Sequence, residues 1–198
     1  MTRLLALLDR LRRDSEGAYI LEFGILAPVF VLMIFSLVDL GQLVYGKVLL
    51  EGAVEAAARD SSLETADTVA ADATVTSTVR NILPGANVTS TRTSYYDFAD
   101  IARAEKWNDT NKDGACASGE TYVDENRNGR WDANIGQSGN GGAYDVVIYT
   151  VTVTYNPLIK LPFVPGFSGP QTLVSKSVRK NQPFATQKKY GSSSGICT

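Results

Sequence analysis

Histidine is absent from all 198 residues. The chain therefore lacks the commonest general base and the commonest transition-metal ligand, which argues against an acid–base enzyme. Cysteine is scarce, with Cys116 and Cys197 the 2 present. They are too few for a disulfide framework and too far apart for a zinc or redox motif. One long-range disulfide between them stays open if this part of the chain lies outside the cytoplasm. No charge sign dominates: 19 Lys and Arg face 21 Asp and Glu, for a net charge of −2. Without an extended basic patch, nucleic acid is not an expected partner. A small-molecule substrate is not expected either, because no nucleophile is clustered with a base. Gly191-Ser-Ser193-Ser-Gly195 formally matches a hydrolase elbow, but with no histidine and no preceding strand signal it carries no chemistry.

What the chain does have is a long apolar run, Ile20 to Val38, with a single acid, Glu22. Taken from Ala18 it is about 21 residues, and at roughly 1.5 Å per residue it reaches about 31 Å, enough to cross a bilayer core. A carboxylate in hydrocarbon is expensive and marks a partner or a function. Residues 1–17 carry Arg3, Arg10, Arg12 and Arg13, so this leader is expected to stay inside and the bulk to cross. The run flows into helix-forming sequence and not into a small-residue cleavage site, so the span reads as a retained helix. Pro28 lies within it, where a kink or local loosening is expected.

Beyond Asp39, Leu43, Val44, Val48 and Leu50 alternate with Lys47, Glu51, Glu55 and Arg59 in an amphipathic helix. Its later face is built from small residues, Gly52 with Ala56 and Ala53 with Ala57, so it suits either a neighbouring helix or the chain's own domain. Weak helical propensity continues to Pro84-Gly85. Three β-rich stretches follow: Asn87 to Phe98, Tyr144 to Tyr155 and Thr172 to Arg179. The expected fold class is α+β, a long transmembrane and amphipathic helix followed by a small antiparallel sheet domain with a calcium-like loop insert. Its divisions are a leader at 1–17, a span at 18–38, a helical stalk at 39–83, an outer domain at 84–184 and a loosely held tail at 185–198.

The insert, residues 109–134, carries the most specific chemistry. Asp109, Asn111, Asp113, Gly114 and Glu120 fit D-x-[DN]-x-[DN]-G-x5-E at each required place. Oxygens at positions 1, 3 and 5, a turn glycine at 6, a carbonyl at 7 and a closing carboxylate at 12 are what a hard cation takes. Asp124, Asn126, Asn128, Gly129 and Asp132 repeat the first nine positions, but Ile135 stands where the closing acid belongs. Only Thr121, Tyr122 and Val123 separate the two loops, leaving no room for the helices of an EF-hand pair. One or two calcium ions acting as a structural staple are therefore expected. Cys116 and Trp131 share position 8 of their loops.

Gly17-Ala-Tyr-Ile-Leu-Glu22-Phe23 before an apolar helix resembles the processing signal of type IV pilins and pseudopilins. With Pro28 and the stretch LVDLGQLVYGKVLLEGAVEAAAR, the chain resembles the TadE-like proteins of the tight-adherence pilus system. The resemblance implies cutting between Gly17 and Ala18 by a prepilin peptidase. It also implies recruitment through Glu22, and partnership with other pilin-like subunits and the assembly machinery. The implied location is the bacterial inner membrane, single pass, N-terminus cytoplasmic and outer domain periplasmic or carried out on a pilus. The implied function is a non-catalytic minor pilin or pseudopilin. The competing expectation is a permanently anchored, calcium-dependent binding or adhesion module that never enters a filament.

Overall fold

A computed structural model describes residues 16–63, 66–157, 169–183, 187 and 189–198. The arginine-bearing leader up to residue 15 and most of the Pro-rich stretch after Asn156 lie outside the described residues. Helix α1 runs from Glu16 to Asp60 and continues through Pro28. Its first half is apolar all round, and Phe23, Ile25, Phe30, Met33 and Leu37 are all exposed. Among the described residues this is the one helix long and apolar enough to cross a membrane. In its second half a stripe turns inward: Leu50, Val54, Ala57 and Ala58 are buried at helical spacing.

The helix stops at Asp60, and the chain doubles back. Asp67 caps α2 (Thr68–Arg80), its carboxylate accepting from the N–H groups of Val69 and Ala70 at 3.0 and 2.9 Å. This satisfies two donors that a helix start leaves without an intrahelical partner. At the far end Gln42 of α1 donates Nε2 to the carbonyl of Ile82 at 2.9 Å, so the two helices lie side by side. Residues 39–83, expected as a helical stalk, form a helical hairpin. The doubling follows from chemistry, since Asp60-Ser-Ser breaks the amphipathic pattern and Val75 and Val79 need a core.

That core is supplied by an antiparallel sheet. Strands β1 (Asn87–Tyr95), β3 (Gln137–Ser138), β4 (Val146–Tyr155) and β5 (Gln171–Lys180) are ordered β3-β1-β4-β5. Register is set by pairs such as Thr91 with Thr150 and Thr150 with Lys176. Alternation aims Tyr149, Val151, Val153 and Tyr155 of β4 at the helices, where they pack with Leu50, Val54, Val75, Val79 and Leu83. The small-residue face of α1 splits: Ala57 is buried here and Ala53 packs against this core, whereas Gly52 and Ala56 stay exposed.

Polar contacts fix the layers. Arg92 of β1 grips Asp72 of α2 with two bonds of 2.9 and 2.7 Å, and Tyr149 donates its hydroxyl to the same carboxylate at 2.6 Å. Glu55 of α1 accepts from Ser177 at 2.7 Å and pairs with Arg179, both on β5. On the opposite sheet face, at one end, a second cluster of Tyr95, Ile135 and Val146 lies beneath the loop insert.

The tail departs from expectation. Strand β6 (Ser193–Ile196) pairs antiparallel with β2 (Thr121–Asp124), the short segment between the two loops. Cys197 is joined to Cys116. Gly195 lies against the Tyr122 ring, where a Cβ would collide. Residues 193–197 are therefore held by a ladder, a close packing contact and a covalent bond, although serine and glycine carry little strand propensity of their own.

Candidate functional site

The insert is built from backbone conformations that its sequence prescribes. In each loop the residue at position 4, Lys112 or Arg127, has positive φ (62° and 63°), and so does the glycine at position 6, Gly114 or Gly129 (78° and 80°). Such turns need short side-chain oxygens to take up the backbone N–H groups that point inward, and aspartate and asparagine do this best. Asp109 accepts from Asp113 and Gly114 at 3.2 and 3.0 Å. Asp124 accepts from Asn128 and Gly129 at 3.0 and 2.9 Å, the equivalent positions. Asn111 accepts from Asp113 at 3.0 Å, and Asn126 from Asn128 at 3.1 Å. Asp113 and Asn128 accept from Ala115 and Arg130, at 2.8 and 2.9 Å. The two loops are one structure written twice.

The closing carboxylate of the first loop, Glu120, is buried and accepts from Thr110 at 2.7 Å and Ala117 at 3.0 Å. The Ala117 N–H and the donors of Thr110 hold its pKa below the usual range against the effect of burial. In the second loop Asp132 takes the amides of Asn126, at 2.7 Å, and Asn128. Cys116 at position 8 carries the disulfide. Trp131 at the same position of the second loop packs edge-on against Trp107, with ring centres 5.3 Å apart.

Several residues that matter here carry no motif. Arg103 binds Glu125 through two bonds of 3.0 and 2.9 Å and Asp100 at 2.9 Å. Glu125 is buried. Desolvation pushes its pKa up, but the Arg103 guanidinium outweighs this and leaves it lowered. This pair anchors the second loop to the segment before the insert. Glu105, wholly buried, belongs to that same segment, and burial raises its pKa against the pull of three backbone donors. An isolated arginine or glutamate upstream of a loop gives no local signal, so only the folded chain reveals either one.

As a donor set, the loops offer carboxylate, amide and carbonyl oxygens and no nitrogen or sulfur, which suits a hard cation. Among the described residues no three of His, Cys, Asp or Glu are gathered as a metal-holding group by themselves, so the asparagine and backbone oxygens would have to complete any site. Gly17, Glu22 and Phe23 lie far from the insert in sequence, on the first turns of α1. Glu22 and Phe23 are exposed there with the rest of the apolar half. Ala18 falls in the same helix.

The family of TadE-like proteins matches residues 17–59. That span covers the apolar half of α1 and nearly all of its packed half, and stops short of α2 and the sheet. No curated protein and no solved structure matches the chain. The N-terminal region is thus TadE-like, carried by a membrane-type helix in front of a small antiparallel sheet domain.

Proposed function

We propose that this chain is a minor pilin or pseudopilin that helps assemble, initiate or cap a tight-adherence type IV-like pilus. The observation that supports it best is the coincidence of the TadE-like match with one continuous helix, exposed and apolar at its start and packed on an outer domain at its end. Such a helix lets a subunit leave a bilayer for a filament by exchanging lipid for the helices of neighbours. Orientation follows from the arginines of the leader: the N-terminus stays in the cytoplasm and the sheet domain lies in the periplasm. A prepilin peptidase cuts after Gly17, freeing the amine of Ala18. Glu22, one turn on, then pairs with an amine, because an unpartnered carboxylate among apolar helices costs several kcal/mol. A neighbour's N-terminus would fix the stagger between subunits.

The test is intact mass and N-terminal sequencing of protein from wild-type and peptidase-deficient cells. Mature protein beginning at Ala18 only where the peptidase is present is the expected result, and Gly17→Ala should block the cut. Retention of residues 1–17 in wild-type cells would instead mean an anchored module that never enters a filament. Glu22→Ala should still insert, since it makes the span more apolar, but should lose co-purifying pilin-like subunits.

Calcium belongs to the same proposal, as a staple of the outer domain held by Asp109, Asn111, Asp113 and Glu120 in the first loop and Asp124, Asn126, Asn128 and Asp132 in the second. An extracytoplasmic site can work at a Kd on the order of 0.1–1 mM. At a hundredfold excess of ion over that Kd, linkage adds about 2.7 kcal/mol. Thermal unfolding in calcium, in magnesium and in chelator reads this directly. Calcium should raise the midpoint most, and identical curves in calcium and chelator would remove the staple.

A further inference from the structure

The second loop has no acid at position 12 because Ile135 is needed elsewhere: it is buried with Tyr95 and Val146 under the sheet. Glu105 makes the contacts that a position-12 carboxylate would make. Its Oε1 accepts from Glu125 and Asn126, positions 2 and 3, at 2.7 and 3.0 Å. Its Oε2 accepts from Asp132, position 9, at 3.1 Å. In the first loop the Oε1 of Glu120 accepts from Thr110 and Asn111, positions 2 and 3, at 2.7 and 3.4 Å, and its Oε2 from Ala117, position 9, at 3.0 Å. The same three backbone positions are bound, with the same division between the two oxygens. One carboxylate comes from inside its loop and the other from the segment that precedes both.

A second observation concerns charge. Glu105 has 0% of its surface exposed, yet among the described residues the ion pairs of this region go to Asp100, Glu125 and Asp132 and none to Glu105. A carboxylate buried without a counter-charge is strongly unfavourable, and a bound cation would supply that charge. On this basis, and resting on the calcium reading above, we infer that Glu105 is the closing carboxylate of the second loop. The insert then holds two divalent-cation sites, one closed locally and one closed across the fold. The second site forms only when the segment around Glu105 is docked, through Arg103 on Glu125 and through the indole N–H of Trp131 on the Glu105 carbonyl at 3.2 Å. The first ion therefore reads local loop geometry, and the second reads tertiary structure.

Calorimetric titration of the full chain in detergent with calcium chloride, after chelator treatment, tests this. Two ions should bind the wild type. Glu105→Gln should keep the first and weaken the second at least tenfold, whereas Glu120→Gln should do the reverse. Glu105→Asp, which keeps the charge and shortens the reach by one methylene, guards against a variant that fails to fold and should weaken the same site. On the unmodified protein, calcium should slow amide exchange at Glu125, Asn126 and Asp132. Two sites untouched by both Glu105 variants, a single site removed by Glu120→Gln, or exchange at those amides indifferent to calcium would each overturn the assignment of Glu105 while leaving a calcium site standing. No binding by the wild type would overturn the calcium reading itself, and this inference with it.

Discussion

The helix–sheet core and the loop insert are held together by different physics. In the core, Leu50, Val54, Val75, Val79, Val151 and Val153 remove apolar surface from water, and the backbone is satisfied by ladders and helical turns. In the insert the apolar groups are few. The chain is shaped instead by side-chain carboxylates and amides that accept from turn N–H groups, by the Arg103–Glu125 pair and by one covalent bond. Burial is non-directional and tolerates exchange of one aliphatic group for another. Turn acceptors are not exchangeable in that way, since each oxygen answers a particular donor. The core should therefore respond to lost volume, and the insert to lost charge, lost oxygens and lost cross-links.

The largest expected effect falls on the insert. Cys116 and Cys197 are 81 residues apart in sequence, and a closure of that length stabilises by roughly 4 kcal/mol in the chain-entropy model. Replacing both by serine should release β6 from β2. Amide exchange should then accelerate over the two loops while β4 and β5 keep their protection. Uniform loss of protection across the sheet as well would show that the two regions unfold as one.

Next in size is the core. Leu50→Ala removes a side chain that is 1% exposed, and should destabilise by about 3 kcal/mol. Chemical denaturation of the full chain should show the loss in the sheet transition, and the calcium binding proposed above should be unchanged. A fall in that binding would show that the core and the insert are energetically coupled.

The smaller effects lie at the polar clamp within the core. Tyr149→Phe removes a hydrogen bond to the Asp72 carboxylate and should lower stability by about 1.5 kcal/mol in denaturant titrations. The clamp also sets two pH limits. Burial tends to raise the pKa of Asp72, but the bonds from Arg92 and Tyr149 leave it below its ordinary value. Its contribution is thus present above the ordinary carboxylate range and lost as pH falls through the lowered folded value. Burial and the Asp72 carboxylate push Tyr149 from 10.0 up to about 12. That contribution is complete below pH 10 and lost as pH rises toward 12. Melting midpoints across pH should show both limits, and Tyr149→Phe should abolish the alkaline one. An alkaline limit that survives in the variant would belong to another group.

The same division explains what could be read from sequence. Hydrophobic period and β-branched alternation locate the start of α1, and β1, β4 and β5, to within a few residues, because burial leaves a repeating trace along the chain. The Asp–Asn–Gly spacing likewise reveals both loops, since each loop's turn acceptors are local. Contacts that join distant single residues leave no such trace. Glu105 meets Asp132, and Arg103 meets Glu125, with no pattern at either end. β6 is a Ser/Gly stretch that becomes a strand because Tyr122 needs a flat neighbour and Cys197 lies beside it. In the tail the only sequence signal for a tether is Cys197, a candidate partner for Cys116. The break at Asp60 leaves no clear trace either, because helix-forming residues resume after it.

The disulfide also imposes a timetable. Cys197 is made 81 residues after its partner, so the loop region cannot be closed by its cross-link until synthesis has passed that residue. The apolar half of α1 is synthesised first, and on the orientation proposed above it enters the bilayer before any of the outer domain exists. The helical hairpin and the strand pairs can form next. The segment that locks the insert is made after all of these. A chain released before Cys197 would have its strands β1, β4 and β5 and lack the lock. The locking step thus marks chains whose synthesis has passed that residue.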